Sequence, residues 1–253
     1  MEDKVLQLLT EITNCPEAKR VRSGNLGGSS HCHKIVSSQS GSSFQLPEPW
    51  SGRIDEVPLL FVSSNPSIDD EERYPDEGWD SELTIDFFRN RFDTSKDWVK
   101  GGLHPLLKKG GWRKTYVHFW ASARARAAEV YQKDRKAVEL GIDFALTEVV
   151  HCKSRDEEGV LEAMGECADR YLKRVISISA AKVLIIYGSH AKKAMLHCLG
   201  SELDTQKLNL VPITDSQRML IFLRHPGCFG RKETVADKYG DEGLLKLRGH
   251  MNK

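Results

Sequence analysis

The sequence predicts an α/β fold: a single domain with a central, mostly parallel sheet of four strands flanked by helices. Two observations carry this. Four short, largely apolar runs, 57–63 (VPLLFVS), 142–150 (IDFALTEVV), 182–188 (KVLIIYG) and 219–224 (MLIFLR), read as buried strands. Segments with helical spacing lie between them, and strands alternating with helices build parallel sheets covered on both sides. The composition agrees. A chain of 253 residues with 40% hydrophobic and 29% charged side chains is large enough to bury a sizeable core. With 37 basic against 36 acidic residues it is no general polycationic coat for nucleic acid, although a local basic face remains open to it.

Taken in order, residues 2–13 place Val5, Leu8, Leu9 and Ile12 on one helical face. Residues 22–43 are rich in Gly and Ser, hold Cys32 between His31 and His33, show no periodic apolar face and read as loop. An Ala- and Arg-rich helical segment covers 113–139. Residues 159–178 repeat apolar groups from Val160 to Ile176 as a 3.6-residue stripe, and 189–199 form a short helix after a Gly188–Ser189 turn. The whole chain, 1–253, then divides into an N-terminal helix with a Cys/His loop (1–50), a core carrying the candidate site (51–230) and a C-terminal helix (231–253). The apolar runs fall far short of the roughly 20 residues that span a bilayer. The acidic N-terminus lacks a secretory leader, so a cytoplasmic protein is expected, with its six cysteines free or bound to metal.

The residues just after each strand carry the chemistry. The first strand runs into Ser63–Ser64–Asn65–Pro66–Ser67, and the second carries Glu148 and then His151–Cys152–Lys153–Ser154. The third ends in Gly188–Ser189–His190, and the fourth in Arg224–His225–Pro226–Gly227. In an open α/β sheet the carboxyl ends of the strands form the ligand crevice, so these four polar clusters are expected to converge.

These motifs, in this order, resemble the uracil-DNA glycosylase superfamily. Ser63–Ser64–Asn65–Pro66–Ser67 is similar to its G-x-N-P-G motif, and His225–Pro226–Gly227 to its His-Pro-Ser motif. Glu148–Val149–Val150–His151–Cys152, Cys167–Ala168–Asp169–Arg170–Tyr171–Leu172 and Gly188–Ser189–His190–Ala191 resemble segments of its iron–sulfur branch. The resemblance covers about residues 5–230. It implies hydrolysis of a pyrimidine N-glycosidic bond after the base has been flipped out of the stack. Asn65 would then orient the attacking water, and His225 would donate to the base O2 where negative charge develops. It further implies that Ser64 lines the base pocket, that Ser67, Ser189 and Lys192 contact the DNA strand, and that the 227–231 loop, with Phe229 or Arg231, fills the vacated stack. No lysine stands obviously placed for Schiff-base chemistry, so water is the expected nucleophile.

The most informative departure is Glu148, where uracil-excising relatives usually carry Asn. A carboxylate accepts from the N4 amino group of cytosine but cannot donate to O4 of uracil. Protonated by burial, it can donate to N3 and assist a poor leaving group. The position therefore favours a cytosine-type base narrowly over uracil. Because unmodified cytosine would be a toxic target, the expected substrate is a cytosine altered at C5, hydroxymethylated or glucosylated as in phage DNA, which suggests antiviral defence. Uracil excision in repair, a non-catalytic DNA-binding module on the same fold and a protein-interaction scaffold remain the competing readings. An aromatic platform for the base is expected from Tyr74, Phe87, Phe88 or Phe92, with Phe88 the chosen candidate.

The iron–sulfur branch holds a [4Fe–4S] cluster on four cysteines, and the resemblance assigns Cys15, Cys32, Cys152 and Cys167. Here the close second cysteine of that branch is replaced by Ala18, with Cys32 the next available; a zinc site using His31 or His33 and plain buried thiols are the alternatives. Basic residues gather at 108–114 around Trp112, at Arg124 and Arg126, and at Lys192–Lys193, and as a set they suit phosphate contacts. DNA is the expected partner, bound by a monomer, with no membrane association.

Overall fold

The computed structural model describes residues 2–24, 30–39, 43–228 and 232–252. Its elements in chain order are α1 (Glu2–Thr13), α2 (Pro16–Arg22), α3 (His33–Ser37), β1 (Leu59–Ser63), α4 (Ser81–Asn90), β2 (Val99–Lys100), β3 (His104–Pro105), α5 (His118–Tyr131), β4 (Ala145–Glu148), α6 (Val160–Cys167), α7 (Lys173–Ile178), β5 (Val183–Tyr187), α8 (Gly188–Leu199), β6 (Asn209–Ile213), β7 (Ser216–Leu223) and α9 (Val235–Met251).

The main sheet has the order β4-β1-β5-β7-β6. Its first four strands are parallel, and β6 pairs antiparallel with β7. The expected four-stranded sheet is thus corrected to five. The added edge strand, NLVPI, mixes exposed Leu210 and Pro212 with buried Val211 and Ile213, so it lacks the unbroken apolarity that marks a strand covered on both faces. The other strands are buried along most of their length, and their alternation splits the core into two layers. Leu60, Val62, Leu184, Ile186, Leu220 and Phe222 pack on one side with α1, α6, α7 and α8. Leu59, Phe61, Val183, Ile185, Ile221 and Leu223 pack on the other with α5 and α9.

Local signals explain the helices. The stripe Val5, Leu8, Leu9, Ile12 of α1 is wholly buried. The Asp80 side chain caps α4 by accepting from the Leu83 N–H at 2.7 Å. Thr234 and Asp237 form a capping box at the start of α9, which kinks at Gly240 (φ 67°). Two expectations need revision. The 22–43 segment is not all loop, since α3 buries Ile35 and Val36. The stripe over 159–178 is not one α-helix: a π-helical turn, Ala168–Leu172, follows Cys167 and joins α6 to α7. The wider turn keeps Tyr171 and Leu172 buried in register with Val175 and Ile176. No helix among the described residues is long and apolar enough to cross a membrane.

Candidate active site

Register places the chemistry. Ser63 at the end of β1 is the partner of Glu148 at the end of β4, and Tyr187 of β5 is the partner of Leu223 of β7. The loops that leave these strands therefore emerge together from one edge of the sheet. They enclose a cavity of about 400 Å³ whose wall includes Ser63, Ser64, Asn65, Ser67, Phe119, Glu148, Ser154 and His225. Asn65 and His225, 160 positions apart in the chain, thus face one space.

Hydrogen bonds set the polarity of each group. Asn65 Nδ2 donates to Ser154 Oγ (2.8 Å) and to the Pro66 carbonyl (3.0 Å), which leaves Oδ1 as the atom that can accept from a water. The Gly227 backbone N–H donates to His225 Nδ1 at 3.1 Å, so the proton of the neutral ring sits on Nε2. Burial lowers the His225 pKa, with the nearby Glu157 carboxylate opposing and His190 reinforcing the shift. His225 is therefore a neutral donor. Gly188 (φ 82°) lets β5 end directly against it: a Cβ on Gly188 would lie 3.1 Å from the His225 Cβ.

Glu148 is buried, and burial raises its pKa to about 8; the Glu48 carboxylate adds to the rise, while a short hydrogen bond from Ser63 and the charge of Lys153 oppose it. At neutral pH the group is mainly a carboxylic acid, with one O–H donor and one carbonyl acceptor. Beneath it lies a buried set of two acids and two bases. Arg91 pairs with Glu72 and with Glu48 (3.4 Å), and Lys153 with Glu72 (3.7 Å). Ser51 and Tyr74 also donate to Glu48, at 2.8 and 3.0 Å. Burial pushes the Glu48 carboxyl up, but Arg91, Lys153 and these hydroxyls outweigh it and hold the group below the usual range. Lys153 lines the cavity, yet its ammonium sits 3.6 Å above the Tyr74 ring and faces Glu72. Burial lowers its pKa against the pull of those acids.

The expected aromatic platform is corrected. Phe88 is fully buried and packs edge-on against Tyr74 and Phe87 in the core, away from the cavity wall. The half-buried ring in the wall is Phe119, in the first turn of α5, stacked on His225 at 5.7 Å between centroids and 21° between planes. Its segment reads as an Ala/Arg helix, which gives no hint that one ring turns toward the strand ends. Sequence reading also missed Glu157, whose Oε1 accepts from Ser64 Oγ (3.1 Å) and whose Oε2 lies 3.9 Å from His190 Nε2. Asp156 and Glu157 both have left-handed backbones (φ 48° and 60°), a conformation costing roughly 1 kcal/mol or more per non-glycine residue and concentrated at functional sites.

A second cleft of about 720 Å³ adjoins the first and is lined by Ser189, His190, Lys192, Arg224, Gly227 and Lys238, among others. Lys192 and Arg224 both act electrostatically on Lys238, so three cations share this cleft, with Glu233 beside them. Three of the other basic candidates have partners within the protein. Arg113 pairs with Asp69 (2.8 Å) and Arg126 with Glu129 (3.2 Å), while Arg124 donates to the Gly101 carbonyl (2.9 Å). Phe229 and Arg231, the expected wedge, lie outside the described residues.

Cys15, Cys32, Cys152 and Cys167 are all buried and lie near enough to act on one another. Cys15 precedes α2, Cys32 precedes α3, Cys152 follows β4 and Cys167 ends α6. Burial drives the Cys152 thiol well above its usual range, and Cys15, Cys167 and Cys32 add to the rise; Cys32 is pushed up to about 12 by burial and then by Cys15. Thiols are the donors of an iron–sulfur site, but no group of three or more His, Cys, Asp or Glu side chains among the described residues stands in a metal-holding arrangement. The chain matches no family model and no curated protein.

Proposed function

We propose that the protein is a monofunctional DNA glycosylase of the uracil-DNA glycosylase type, which hydrolyses the N-glycosidic bond of a flipped, modified pyrimidine and leaves an abasic site. The observation that carries this reading is the shared cavity of Asn65, Glu148 and His225, in which each presents the polarity the reaction needs. The Asn65 carbonyl holds the water. The His225 Nε2–H donates to the base O2 as charge develops there. The Glu148 acid donates to N3 of a cytosine-type base while its carbonyl accepts from the N4 amino group. The half-buried Phe119 ring, in place of Phe88, supplies the stacking platform. Ser67, Ser189 and Lys192 hold the strand, with the Lys192–Arg224–Lys238 group as the phosphate track.

A cytosine altered at C5, hydroxymethylated or glucosylated, is the favoured substrate, and defence against phage the proposed setting. Uracil is the second reading, because a neutral Glu148 can also donate to O4 and accept from N3–H. One panel of duplexes tests both, with uracil, cytosine, 5-hydroxymethylcytosine or its glucosylated form at one position, scored for abasic sites. Abasic sites at a 5-substituted cytosine alone support the first reading, and at uracil alone the second. No abasic sites on any member defeats the proposal.

We also propose that Cys15, Cys32, Cys152 and Cys167 hold a [4Fe–4S] cluster with a structural role, tying the N-terminal helices to the loop after β4. Bound there, the cluster would supply cross-linking rather than a step in hydrolysis. Anaerobically purified protein should carry iron, sulfide and a broad visible absorption band, all lost in Cys152→Ser.

A further inference from the structure

Ser64, Glu157 and His225 are the residues that line both the base cavity and the adjoining cationic cleft. With a base in the cavity and its phosphates among Lys192, Arg224 and Lys238, the deoxyribose must lie at the junction where these three stand. Glu157 has one hydrogen bond and one close neighbour there. Its Oε1 accepts from Ser64, the neighbour of Asn65, at 3.1 Å, and its Oε2 lies 3.9 Å from His190 Nε2. The His190 Nδ1 is buried without a hydrogen-bond partner among the described residues. Glu157 is still half exposed to the cleft, and its left-handed backbone, like that of Asp156, stands where glycine would be the easy choice.

We propose that Glu157 is the carboxylate of the reaction, facing the sugar as positive charge develops and taking the proton of the attacking water. This rests on the glycosylase reading. The C1′–N1 bond breaks and its electron pair leaves with the base, which receives the Glu148 proton on its ring nitrogen. The water held by Asn65 forms the new C1′–O bond and gives one proton to Glu157. Glu157 then returns that proton to solvent and Glu148 takes one up, so the sum is nucleotide plus water to abasic sugar plus neutral base. The sequence offers no acid at the Asn65 position itself, and Glu157 supplies from another loop the charge that an amide cannot.

The test is single-turnover excision from a duplex carrying one 5-hydroxymethylcytosine or its glucosylated form, alongside binding of the uncleavable 2′-fluoro analogue. Glu157→Gln keeps an acceptor for Ser64 and loses the charge. It should slow excision by about 100-fold or more while analogue affinity stays within about threefold. Glu157→Gly suits the left-handed backbone, should melt no lower than wild type, should be equally slow, and should recover at least about tenfold with added formate. Excision by Glu157→Gln within about threefold of wild type overturns the proposal and leaves the glycosylase reading standing. A rate loss matched by lost analogue binding, or no response to formate, also overturns it. If the wild type excises neither of these bases nor uracil, the glycosylase reading itself falls.

Discussion

At Asn65 and His225 the decisive feature is which atom is left over. Nδ2 of Asn65 is spent on Ser154 and Pro66, and Nδ1 of His225 is spent on Gly227, so an acceptor and a donor remain for substrate. His225→Ala should lower single-turnover excision by about 100-fold, the effect of removing one donor worth on the order of 3 kcal/mol, with base affinity nearly unchanged. Glu148 gives a pH-dependent signature. Its folded pKa of about 8 lies above its ordinary 4.5, so the folded state holds the proton more tightly than the unfolded one. The stability it contributes is full below about pH 4.5 and is lost as pH rises toward 8. Glu148→Gln should therefore match the wild type in unfolding free energy near pH 4.5 and exceed it above pH 8, by on the order of 5 kcal/mol. A constant difference across that range would refute the buried acid. The motif residues were legible because their types and order are tied to strand ends. Phe119 and Glu157 were not: a ring's direction and a left-handed φ leave no mark in composition or spacing. Phe119→Ala should weaken binding of a flipped base by about 1–3 kcal/mol. Phe88→Ala should instead destabilise the fold by about 3 kcal/mol or more, because it empties the core.

At the scale of elements, the site depends on four parallel strands ending level. Gly188→Ala probes this directly. The alanine must hold φ 82° and its Cβ would press on the His225 Cβ at 3.1 Å, so His225 has to shift by about a few tenths of an ångström. We expect about 1–2 kcal/mol of lost stability and a larger fractional loss of excision, seen as a rate that falls more than binding of the 2′-fluoro analogue. The four parallel strands were legible from their short, largely apolar runs, and α1 from its stripe. The edge strand β6 was not, since two of its five side chains face solvent and its sequence reads like a loop. The π-helical turn after Cys167 was hidden because the apolar stripe on either side of it continues at helical spacing.

For the whole molecule, near-neutral charge and DNA binding are compatible because the cations are local. The formal net charge is +1, yet Lys192, Arg224 and Lys238 meet in one cleft beside the base cavity. Replacing Lys192 or Lys238 with Ala should weaken binding of every DNA sequence alike and reduce the slope of log affinity against log salt by about 1 each. An unchanged slope would move the phosphate track elsewhere. Bond cleavage at the junction of cavity and cleft is the central claim. The direct measurement is mass-spectrometric detection of free base released from a duplex carrying one 5-hydroxymethylcytosine, glucosylated or not, under single-turnover conditions. The wild type should release one free base per abasic site, and Asn65→Ala should bind the duplex and release none. Release at the same rate from Asn65→Ala, or no release of any pyrimidine by the wild type, would contradict it.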